Sequence, residues 1–187
     1  MQELAEWLAW ELYSKSMLLM GEFRLSSGGY SSYYFDLRRM YSYPETYRRI
    51  VKEFAYKVCS PKCPDMVMGV ATAGIPLAAM VAYTRSLPMG YVRIRRKTHG
   101  GGRLIEGLVK GREIVVIDDV ATTGKSIAEA VESIRKEGGI VERAAVIIDR
   151  EEGASRTLAE MGVELVSLVK ASVLFENLRR RGIRVPS

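Results

Sequence analysis

The sequence predicts an α/β fold: a doubly wound, mainly parallel sheet flanked by helices. Two observations carry this. From Met66 onward, short apolar runs alternate with helical patterns, the signature of repeated strand–helix units. The run Glu113-Ile-Val-Val-Ile-Asp118 is β-branched and apolar up to its terminal acid, as in a central strand covered on both faces. The chain before Met66 reads differently, as a helix followed by a Ser-, Gly- and Tyr-rich segment.

Taken in order, residues 2–20 read as helical, with Leu4, Trp7, Leu8, Leu12 and Leu19 on one broad face. Phe23–Arg38 changes to Ser, Gly and Tyr and alternates from Tyr33 to Leu37, which predicts a hairpin. Pro44 then opens an amphipathic helix, with Tyr47, Ile50, Val51, Phe54, Ala55 and Val58 at helical spacing. Strands are predicted at 66–70, 89–94, 113–118, 143–148 and 163–168, and helices at 75–85, 125–137, 154–161 and 171–180. Met66–Thr84 carries no charge and approaches membrane-span length. Gly69, Gly74 and Pro76 interrupt it, so it reads as a buried strand, a tight turn and a buried helix. Residues 1–187 are read as a single domain.

A chain of 187 residues suits one domain, and 48% hydrophobic with 27% charged residues excludes a disordered one. Lys and Arg number 28 against 22 Asp and Glu, a net charge of +6. That balance admits nucleic acid, an anionic membrane face or a small polyanion. One His and two Cys leave no set of ligands for a protein-built zinc site. Cys59 and Cys63 read as two thiols on a surface turn, with a local disulfide as the alternative. Glu3 and Glu6 at the start do not suit a signal peptide, so an intracellular, cytoplasmic protein is expected, without membrane or nucleic-acid partners.

The stretch Ile117-Asp-Asp-Val-Ala-Thr-Thr-Gly-Lys-Ser126 is the most informative. A strand delivers paired carboxylates, a hydroxyl-rich turn follows, and a helix starts near Lys125. Amides at such a turn and helix start form an anion cradle suited to a phosphate. Asp118 and Asp119 would repel that phosphate and suit the vicinal hydroxyls of a ribose instead. A nucleotide P-loop is excluded, because Asp119 stands where its first glycine is required. Between strands, Gly100-Gly101-Gly102 follows the basic cluster Arg93-Ile-Arg-Arg-Lys97, which reads as a mobile loop with an anionic target.

Residues 117–126 closely resemble the 5-phosphoribosyl 1-diphosphate (PRPP) signature of type I phosphoribosyltransferases. Phe23–Arg38 is similar to the hood segment of the orotate phosphoribosyltransferases, Gly69–Ala78 to their diphosphate loop and Arg93–Gly100 to their mobile catalytic loop. Asp149–Ala154 and Leu158–Leu165 resemble their carboxy-terminal pattern. The resemblance spans about residues 20–170 in the family's order.

The resemblance implies the type I phosphoribosyltransferase fold, with a small amino-terminal hood formed by 1–43 and part of the carboxy-terminal region, and transfer of the phosphoribosyl group from PRPP to orotate. The products are orotidine 5′-monophosphate and diphosphate, within UMP biosynthesis. It implies Mg²⁺ as cofactor, held mainly by substrate oxygens and water, and a homodimer that shares the mobile loop across its interface. Catalysis falls to Lys97, His99, Arg93 and Asp119. PRPP is bound by Arg93, Lys97, His99, Thr72, Ala73, Asp118, Asp119, Val120, Ala121, Thr122, Thr123, Gly124, Lys125 and Ser126. Orotate is bound by Ser26, Tyr34, Phe35, Thr122 and Arg150, the guanidinium facing the carboxylate of the base. Ser26 stands where the family often has lysine, and Ile94 where it often has a second basic residue, with Arg95 and Arg96 beside it. Two other readings are a phosphoribosyltransferase for another base and a PRPP-binding regulator that retains the fold. Arg150 speaks against a neutral base. Against the regulator, the basic residues concentrate in one loop and no separate nucleic-acid motif precedes the fold.

Overall fold

A computed structural model describes residues 2–24, 29–94 and 104–186. They form two compact units, residues 1–48 with 169–187, and residues 49–168.

In the first unit, helix α1 (Gln2–Ser14) is shorter than predicted. Ser16 takes a left-handed φ of 53°, which ends the helix and turns the chain into strand β1 (Leu18–Arg24). Leu19, expected on the helix, therefore lies in β1 opposite Tyr34 of β2 (Tyr30–Phe35), in an antiparallel hairpin that begins before the predicted span of 23–38. A 3₁₀ turn at Leu37–Ser42 leads to α2 (Pro44–Val58), which runs on into the second unit. The last helix of the chain, Ala171–Arg180, packs against α1. Leu8, Leu12, Met17, Leu37 and Met40 are fully buried in this unit. Lys15, Glu11 and Thr46 join in a polar cluster in which Lys15 also lies 5.1 Å from the centre of the Tyr43 ring.

The second unit carries the sheet. After β3 (Met66–Val70) and α3 (Gly74–Arg85) come β4 (Met89–Val92), β5 (Ile105–Glu106) and β6 (Glu113–Ala121). Then follow α4 (Lys125–Lys136), β7 (Ile140–Asp149), α5 (Ala154–Ala159) and β8 (Glu164–Lys170), which leads into α6, the helix Ala171–Arg180. The strand order is β5-β4-β3-β6-β7-β8. β3 pairs parallel with β4 and β6, and β6 parallel with β7; only the short β5 is seen antiparallel, on β4. The charge-free stretch from Met66 thus resolves into β3, a turn and α3, as predicted. No helix among the described residues is long and apolar enough to cross a membrane.

Burial explains the sheet's position. Val67, Met68, Val116 and Ile117 are fully buried on the two central strands, as a near-continuous apolar run demands. The amphipathic α4 buries Ile127, Ala130, Val131 and Ile134 against that sheet. Each buried Ile or Val side chain there contributes about 1.5–3 kcal/mol.

One expectation is corrected. Cys59 and Cys63 are not free thiols but are joined in a disulfide that closes the turn after α2. The turn is long enough to bring the two side chains together, and Arg143 holds it by donating to the carbonyls of Ser60 and Lys62 at 2.7 Å each. Asp65 and Glu113, at the amino-terminal ends of β3 and β6, are linked by backbone and side-chain bonds of 2.9 Å. The disulfide therefore sits at the end of the sheet opposite the strand carboxyl ends.

Candidate active site

Parallel strands deliver their carboxyl ends to one edge of the sheet, where ligands of open α/β folds bind. β6 runs past β3, stays paired with β7 as far as Ala121 and Asp149, and ends in Asp118, Asp119, Val120 and Ala121. The carboxylate of Asp118 accepts the N–H of Asp119, and that of Asp119 accepts the N–H of Val120, each at 2.9 Å. Both side chains thus turn back on their own backbone at the strand end. Withdrawal from water, and secondly the adjacent charge of Asp119, push the Asp118 carboxyl well above the ordinary carboxylate range. The two acids titrate as a pair.

Thr122 and Thr123 make the turn, and Gly124 enters α4 with φ of 81° and no side chain to cap the helix. The first amides of α4 are thereby left to an external acceptor, in the arrangement that binds phosphate. A Cβ at Gly124 would also lie 3.0 Å from Cα of Ala154, so the start of α5 is packed on this turn. Thr123, Lys125 and Ser126 are exposed and Thr122 is half-buried.

The loop after β3 closes on the same strand end. A Cβ at Gly74 would stand 2.2 Å from the carbonyl oxygen of Ile117, so only glycine lets α3 start flat against β6. Thr72 and Ala73 lie in this loop, with Thr72 exposed, and the peptide between Ala71 and Thr72 is cis. At the end of β7, the N–H of Arg150 donates to the carbonyl of Ala121 at 2.9 Å, and the N–H of Ala154 to that of Thr122 at 3.1 Å. The Arg150 guanidinium is buried, its Nε–H donating to Oε1 of Glu152 at 2.9 Å and its Nη2 lying 2.7 Å from the same oxygen. The structure thus brings Thr72, Ala73, Asp118–Ser126 and Arg150 to one edge.

Arg93 leaves β4 with its guanidinium committed at the base of the glycine-rich segment. Nη1 donates to Glu106 at 2.8 Å, Nη2 to the Tyr91 hydroxyl at 2.9 Å, and the group lies 5.0 Å from the centre of the Tyr91 ring. Tyr91 and Glu106 are register partners in the β4–β5 pair, which explains the cluster. Ser26, Lys97 and His99 lie outside the described residues. In the first unit, Tyr34 packs on Phe23 and keeps partial exposure, while Phe35 is buried and stacks on Phe175. Glu106 and Tyr91 were not singled out by sequence reasoning, and Glu152 stood there only beside Glu151 as one of two acids able to pair with Arg150. Their only sequence signal was proximity to Arg150 and Arg93.

Residues 44–174 match the family described as the phosphoribosyl transferase domain. The orotate phosphoribosyltransferase of Sulfolobus acidocaldarius is 45% identical over 167 residues, which is 89% of this chain and 84% of that protein. The chain belongs to the orotate phosphoribosyltransferases. The crystal structure of the orotate phosphoribosyltransferase from Aeropyrum pernix matches with a TM-score of 0.81 at 40% identity, covering 92% of this chain and 98% of its own. That of Mycobacterium tuberculosis, in complex with PRPP, matches with a TM-score of 0.71 at 27% identity, covering 93% of this chain and 98% of its own. The α/β fold expected from strand–helix alternation is the fold of this family, and the resemblance read from the separate motifs holds.

Proposed function

We propose that this chain transfers the 5-phosphoribosyl group of PRPP to orotate, releasing diphosphate, as a cytoplasmic homodimer that requires Mg²⁺. The observation that carries this reading is the edge at which the paired acids of β6, the open start of α4, the Gly74 loop and buried Arg150 converge. The amides from Ala121 to Ser126 take the 5-phosphate, and Asp118 and Asp119 accept the ribose hydroxyls. The loop at Thr72 and Ala73 meets the diphosphate. Arg150 takes the carboxylate of orotate, and Thr122 serves base and PRPP together. Ser26, Tyr34 and Phe35 complete the base contacts by family resemblance.

The reaction breaks the bond from the anomeric carbon to the diphosphate oxygen and forms one from that carbon to the ring nitrogen of orotate, whose N–H proton is given up to water. Positive charge grows on the ribose while negative charge grows on the leaving group, so catalysis is chiefly placement of charge. Lys97, His99 and Arg93 stabilise the departing diphosphate, Lys97 foremost, and the family reading has them act across the dimer interface. Asp119 faces the ribose as its charge develops. Hard oxygen donors at Asp118, Asp119 and the threonines would suit Mg²⁺, which would be held mainly by substrate and water. When bound, it neutralises diphosphate charge. PRPP is multiply charged and orotate is an anion, so neither crosses a bilayer unaided, which favours the cytoplasm.

Supplying PRPP with orotate, uracil, adenine or xanthine tests the base. Turnover is expected with orotate alone. Turnover with a neutral base and none with orotate would replace this reading by that of another phosphoribosyltransferase.

A further inference from the structure

A guanidinium as deeply buried as that of Arg150, with 4% of its side chain exposed, needs a countercharge to stay in place. Glu152 supplies it. Its carboxylate, 35% exposed, lies nearer the water and holds the Nε and Nη2 side of the guanidinium on a single oxygen. That side is one of the forked edges by which an arginine grips a carboxylate, and fixing it sets the plane of the whole group. The backbone beneath is built for the same end. Asp149, itself buried, accepts the N–H of Glu151 at 2.8 Å and the hydroxyl of Ser155 at 3.3 Å, which holds Glu151 at a left-handed φ of 62°. The turn is then tied to β6 through the bond from Arg150 to the Ala121 carbonyl, one residue before Thr122.

We propose that Glu152 is the positioning residue for Arg150, fixing its guanidinium toward the carboxylate of the base and so setting selectivity for an anionic base. This rests on the reading of the chain as an orotate-transferring enzyme in which Arg150 meets that carboxylate. Without Glu152 the cation turns out toward water and loses its fixed orientation, while the PRPP contacts are untouched. Glu152→Gln keeps an oxygen that accepts both donors. Glu152→Asp keeps the charge but shortens the reach, and leaves no buried unpaired cation.

The test is steady-state kinetics of Glu152→Ala, Glu152→Gln and Glu152→Asp, varying orotate and PRPP separately, beside Arg150→Ala. For Glu152→Ala, the KM for orotate rises about tenfold with kcat within about twofold and the KM for PRPP unchanged. Glu152→Gln recovers to within about threefold of the parent, and Glu152→Asp falls between. An orotate KM that is unchanged or lower in the Ala and Asp variants overturns the proposal, as does a parallel rise in both KM values, which a loosened fold would give. A wild-type enzyme inert toward orotate, or an Arg150→Ala variant with unaltered orotate KM, overturns the underlying reading and the proposal with it.

Discussion

Asp118 shows how one side chain ties the site to stability. Its carboxyl is raised by withdrawal from water and by Asp119, so the fold holds its proton more tightly than the unfolded chain does. Stability on this account falls as pH climbs from the ordinary carboxylate range through the raised value, and the whole penalty is present above it. Asp118→Asn removes the penalty. Melting temperatures measured across pH should therefore show the variant gaining on the parent at neutral and alkaline pH, with the gain shrinking toward acid. A constant offset at every pH would mean that the carboxyl is not raised in the fold. The acid pair itself was legible in the sequence, since Asp-Asp at the end of an apolar run followed by Thr-Thr-Gly has few other uses. The partners of the arginines were not legible. Glu106 lies on a strand of two residues, too short to leave a pattern, and Glu152 reads as one of two adjacent acids until the turn shows which one meets Arg150.

Elements succeed or fail on close backbone approach. The start of α3 lies on the end of β6 only because Gly74 has no side chain, and a methyl group there would meet the Ile117 carbonyl at 2.2 Å. Gly74→Ala should cost about 2 kcal/mol in chemical denaturation, in the range of overpacked cores, and raise the KM for PRPP as the diphosphate loop shifts. Unchanged stability and KM would show that the loop does not depend on this contact. Strands β3 and β6 were readable because their apolar runs have the length of a buried strand. β1 was not, because Leu18 and Leu19 continue the apolar spacing of α1, and the turn at Ser16 is a backbone event with no side-chain periodicity. The missing information was the left-handed φ.

At the scale of the molecule, the parallel sheet separates stability from chemistry. The disulfide of Cys59 and Cys63 closes a short turn at the amino-terminal ends of the strands, and the phosphate turn and Arg150 stand at the carboxyl ends. Cys59→Ser should lower stability by about 2 kcal/mol, the loop-closure estimate for so short a ring, and leave kcat unaltered. A fall in kcat at full folding would couple the two ends. On the proposed function, the basic residues at the chemical end meet a diphosphate and a carboxylate. The most direct measurement of that claim is diphosphate release from orotate and PRPP with Mg²⁺, comparing the parent with Lys97→Ala at equal melting temperature. The parent should release one diphosphate per orotidine 5′-monophosphate formed, and the variant should turn over about 10²–10³-fold more slowly, the usual cost of losing one charge-stabilising donor. A variant as fast as the parent, or a parent that releases no diphosphate, would contradict it.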